Sequence, residues 1–153
     1  AAGMYAWHLR SSQYRSYAQQ SLHDVVLGGT NQIRRLIESS ENTGRIPLDT
    51  EPITYQFYAI DATRQVLRNI YVEEDPGGLS TSPSVWLRCA DAVYDLQESG
   101  ETQSEKAFYQ DLHGLCEGWV AKAEQYGSVP DFEYELAQLE ESLQVLVESV
   151  LPG

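Results

Sequence analysis

The chain has 153 residues, 42% apolar and 22% charged, the length and composition of one globular domain spanning 1–153 rather than of a disordered or fibrous polypeptide. A net charge of −13 at pH 7 argues against generic binding to nucleic acid or to anionic lipid headgroups. No run approaches the ~18 apolar residues of a membrane span, and two cysteines without a CxxC pair rule out a zinc ribbon or a dense disulfide scaffold.

The acidity is uneven. Residues 1–90 hold eight Arg against nine acids, and residues 91–153 hold two Lys against fourteen acids. A solvated outer face accounts for this, with a basic partner or loosely held divalent cations as the alternatives.

The first element is predicted from Tyr5 to Ser40. Trp7, Ser11, Tyr14, Ala18, Leu22, Val25, Gly29, Ile33 and Leu36 keep an alternating three and four spacing, so one helix of about 54 Å runs through Gly28 and Gly29. The competing reading breaks it at the glycines and caps a second helix with Thr30. Gly44, Pro47 and Pro52 mark a connection, and a second helix follows over Ile53–Glu74, with Ile53, Phe57, Ile60, Leu67 and Tyr71 inward.

After Asp75-Pro76-Gly77-Gly78, Ser82 and Pro83 supply a cap and a first-turn proline for a third helix over Ser84–Glu98, burying Trp86, Cys89, Val93 and Leu96. Gly100 ends it, and Thr102 with Glu105 matches a capping box for a fourth helix over Gln103–Tyr126, which buries Phe108, Leu112, Leu115, Trp119 and Ala123. The last helix, Asp131–Leu151, carries Phe132, Leu136, Leu139, Leu143, Leu146 and Val150 on one narrow stripe with glutamates between. No alternation of period two suggests a strand. The predicted fold is an all-α, up-and-down antiparallel bundle of four to five helices with a long N-terminal helix.

That first helix outruns the others, and its N-terminal end carries Met4, Tyr5, Trp7, Leu9 and Tyr14, too apolar to stand alone in water. These residues are the expected interface with a protein partner or a second copy. Aromatic residues at this end also fit the interfacial edge of a membrane tether upstream of Ala1, and this segment resembles the outer part of bacterial membrane-tethered sensors. That likeness covers too few residues to carry a function over; the tether itself is what would place the domain outside the cytoplasm.

Catalytic motifs are missing: there is no GxSxG, GK[ST] loop, HExxH or GxGxxG, and no Glu-x-x-His pair of a di-iron bundle. No enzyme, metal site or cofactor is expected. Cys89 and Cys116 are predicted as core residues, near enough in level to bond if the third and fourth helices pack around Gly100 in an oxidising compartment.

The most informative residue is Arg64, which sits where the second helix's stripe calls for an apolar side chain. Folding the first helix back on the second places Arg64 opposite Gly29, in a gap its stem can fill, and brings Tyr94 of the third helix alongside. Two readings remain: an internal ion pair with Asp95 or Asp61, or an anion-binding pocket in which Arg64, Arg68 and Arg88 hold a ligand carboxylate near Tyr94, Tyr58 and Trp86. The expected function is a non-catalytic helical interaction or sensor domain. Its alternatives are a soluble anion-binding bundle and a cytosolic scaffold or regulatory subunit.

Overall fold

The computed structural model describes the backbone of residues 2–44, 49–72 and 84–152, together with their side chains except those of 2, 5–15 and 67–72. Among the described residues five helices form: α1 (Ala2–Thr43), α2 (Glu51–Val72), α3 (Val85–Ser99), α4 (Thr102–Tyr126) and α5 (Phe132–Glu148). No strand occurs among the described residues.

α1 is uninterrupted at its two glycines. Thr30 is buried, and its hydroxyl folds back to Val26 O at 2.8 Å and Leu27 O at 3.1 Å, so it serves the helix it sits in and caps no new one. Gly29 lies against α2 so closely that an added Cβ would stand 2.9 Å from Ile60 Cδ1, so any larger residue there would have to displace the end of the Ile60 side chain.

Local chemistry ends the other helices. Ser84 caps α3 by accepting the Trp86 N–H at 3.2 Å, one residue beyond the expected boundary, while Ser82 and Pro83 lie outside the described residues. Gly100 and Gly127 close α3 and α4 in the left-handed conformation, with φ of 67° and 79°. The capping box expected at Thr102 and Glu105 does not form. Glu101 is the N-cap and takes a hydrogen bond from Ser104, while Glu105 turns into the core because it falls one turn before Tyr109 on the buried face. α5 stops short of Leu151, because Ser149 bonds back to Leu146 O and Pro152 follows.

In cross-section the helices form a closed ring in the order α1, α2, α3, α5, α4, with α5 inserted between α3 and α4. The expected α3–α4 hairpin is therefore reduced to light contact. The core gathers Leu22, Val26, Ile33 and Ile37 of α1, Ile53, Phe57 and Ile60 of α2, and Trp86, Cys89 and Val93 of α3. Phe108, Leu112, Cys116 and Trp119 of α4 meet Leu136, Leu143 and Val147 of α5 there. Each such aliphatic or aromatic side chain contributes roughly 1.5–3 kcal/mol on burial, which is what an isolated amphipathic α5 lacks. Cys89 and Cys116 are both free thiols in this core. Burial raises both thiol pKa values, that of Cys116 to about 12, so each cysteine favours the neutral thiol and packs as a small apolar side chain.

α1 is 42 residues, about 63 Å, against about 33 Å for α2 and about 38 Å for α4. His23 meets the α4–α5 connection at Val129, and Gln19 meets Glu133, so the ends of α4 and α5 lie level with residues 19–23 of α1. The antiparallel pairing of Gly29 with Ile60 and Gln56 brings the end of α2 level with about residue 15. Some 20 Å of α1 then extends past the described ends of α2, α4 and α5 as an arm.

Candidate functional site

Arg64 is drawn inward, its side chain 29% exposed, but toward α5. Its Nη2 donates to Glu140 Oε1 at 3.2 Å, and Trp86 Nε1 donates to Glu140 Oε2 at 2.8 Å, so one carboxylate joins α2, α3 and α5. Neither expected acceptor is used: Asp95 is exposed, and Asp61 is buried with Oδ2 bonded to Gln65 and Oδ1 unpaired. Ile60 rather than Arg64 fills the space at Gly29, about one turn from the anticipated register, because an aliphatic side chain fills a dry notch without desolvating a charge. Tyr94 is 65% exposed, and Trp86, two turns before it, is what reaches the arginine's partner. Arg88 is half-buried near Cys89, and the Arg68 side chain lies outside the described residues. Met4 is 72% exposed, and the side chains of Tyr5, Trp7, Leu9 and Tyr14 lie outside the described residues.

The seam between α1 and α4 is richer in polar groups. At its upper end His113 Nε2 contacts Glu38 Oε1 at 2.9 Å, and Nδ1 lies 3.4 Å from Glu117 Oε2. Arg34 donates to Glu38 at 3.3 Å and to Asn31 Oδ1 at 2.8 Å, which leaves its buried Nε without an acceptor. The His113 hydrogen bond, aided by the Arg34 charge, holds the Glu38 carboxyl below its ordinary pKa. At the lower end His23 Nε2 accepts the Val129 N–H at 3.1 Å, which assigns the ring proton to Nδ1, 3.2 Å from Asp24 Oδ1.

Between these ends runs an open groove of about 430 Å³ whose floor includes Leu27, Gly28, Val120 and Ala123. Arg34 and Arg35 stand at its upper end, with Asp24 and Glu124 at its lower end. A second opening of about 680 Å³ lies at the foot of the bundle around His23, Asp131 and Phe132. Among the described residues no group of three or more acidic, histidine or cysteine side chains is placed to hold a metal, and no helix is long and apolar enough to cross a membrane.

The Arg34–Glu38 and His113–Glu117 pairs were missed from the sequence, although their four-residue spacing on one helix was a signal that could have found them. The contacts joining those pairs, and the part played by Glu140, had no local signal. The fold and grooves define an all-α bundle, and comparison with known families, curated proteins and solved structures finds no match.

Proposed function

We propose that this chain is a non-catalytic helical interaction and sensor domain, in which α1 forms one wall of a binding groove and carries a docking arm for a second copy. The observation that carries this reading is the continuity of α1 from Ala2 to Thr43, which makes the groove wall and the arm one rod. A ligand bridging α1 and α4 bears directly on the helix that carries the arm. A non-catalytic role is supported by the use of the polar groups: His23, His113, Arg64 and Glu140 are engaged in holding helices together. The alternative of an anion site at Arg64 is weakened by Glu140, which already neutralises that guanidinium.

The test is sedimentation equilibrium of the full chain beside a chain lacking residues 2–13. The full chain should associate with increasing concentration, and the shortened one should stay monomeric with unchanged melting of the bundle. Two monomers, or two equally strong dimers, would remove the arm's docking role.

A further inference from the structure

We propose that the α1–α4 groove binds a short linear peptide by its two charged ends, the ammonium at Asp24 and Glu124 and the carboxylate at Arg34 and Arg35. This names the ligand class of the sensor reading above and rests on that reading.

The groove has opposite chemistry at its two ends. At the upper end Arg35 is exposed with no bond to a described residue, and beside it Arg34 keeps a buried Nε without an acceptor. A carboxylate in the groove answers Arg35, while Arg34, already paired with Glu38, adds only its residual positive field. At the lower end Glu124 is likewise exposed and unbonded, and Asp24 lies nearby. α4 also ends here, at Gly127, with no basic residue in its last turn, so the partial negative charge of its terminal carbonyls adds to that of the two acids. An ammonium suits this end and an anion does not.

The dimensions select the length. His113 against Glu38 and Val129 against His23 fix an antiparallel register that sets Glu124 beside Leu27. From there to Arg34 the groove runs about 10 Å along α1. Three residues of extended chain span about the same distance. The volume of about 430 Å³ lies within the range of small-molecule sites. The trough is open at its middle, because a Cβ added at Gly28 would meet nothing within 4 Å. A zwitterion also suits the chain's net charge of −13, which repels simple anions at a distance and leaves a neutral dipolar molecule free to approach.

The experiment is an amide-resolved NMR titration of the ¹⁵N-labelled full chain with trialanine, N-acetyl-trialanine and trialanine amide. Trialanine should shift the amides of residues 24–35 and 120–127, and capping either terminus should weaken binding about two- to fivefold. Arg35→Glu should weaken trialanine but leave the amide unaffected, and Glu124→Arg should weaken trialanine but leave the acetylated peptide unaffected. Gly28→Leu fills the trough without touching the core and should abolish the shifts in a folded protein. Capped peptides binding as well as the free one, shifts confined elsewhere, or no shifts at millimolar peptide would overturn the proposal. So would Gly28→Leu turning a dimer into a monomer, which would assign the groove to a second copy. Loss of peptide binding leaves the arm truncation result standing, so failure here is distinct from failure of the docking role.

Discussion

Replacing Glu140 by Ala tests whether one carboxylate holds three helices. Trp86 is only 1% exposed, so losing its acceptor strands an indole N–H away from water, at a cost of about 1–3 kcal/mol. The lost ion pair adds less, because Arg64 remains 29% exposed and its charge is partly solvated, so about 1 kcal/mol is the appropriate scale. Together these predict a loss of about 2–4 kcal/mol for Glu140→Ala. Arg64→Ala leaves the indole bond in place and should cost about 1–2 kcal/mol, less than full burial of the guanidinium would imply. Urea denaturation of both variants and of the double mutant measures the coupling, with Glu141→Ala on the exposed side of α5 as control. If Glu140→Ala falls within about 0.5 kcal/mol of the control, or if Arg64→Ala is the more harmful, the three-helix junction does not stabilise the bundle as argued.

Glu105 is 4% exposed with Oε1 unpaired, and burial raises its carboxyl pKa, so the folded state holds its proton more tightly than the unfolded chain does. Its contribution to stability is present at pH values below the ordinary carboxyl range and declines as pH rises through the raised folded pKa. Glu105→Gln should therefore raise the melting temperature at pH 7 by more than at pH 4, and a difference independent of pH would contradict the assignment. Gly29→Leu should cost about 1–3 kcal/mol by overfilling the contact with Ile60, whereas Gly28→Ala should be neutral or stabilising by up to about 1 kcal/mol, and denaturation curves separate the two. Cys89 and Cys116, buried with raised pKa values, should resist a thiol reagent at pH 8 until denaturant is added. Rapid labelling of the native protein would show that the core opens more readily than its packing suggests.

The helices were legible because helix formation is decided by residues three and four apart. The α5 stripe from Leu136 to Leu146, the continuity of α1 through Gly28 and Gly29, and the stops at Gly100 and Gly127 all follow from such local terms. Even the small errors, Ser84 in place of Ser82 as the cap and Glu101 in place of Thr102, lie within one turn. What the local pattern lacks is the choice of neighbour. Leu, Ile and Val stripes are nearly interchangeable as partners, so only closing the whole core placed α5 between α3 and α4, seated Ile60 on Gly29 and turned Glu105 inward. Arg64 is the clearest case. Its sequence position foretold a guanidinium drawn toward the core with an acidic partner, but that partner, Glu140, lies 76 residues away on a helix whose neighbours the tertiary structure alone decided. The α1–α4 groove belongs to the same class: Arg35 and Glu124 are unremarkable surface charges in the chain, and they face one trough only because the packed ring brings α4 back against α1.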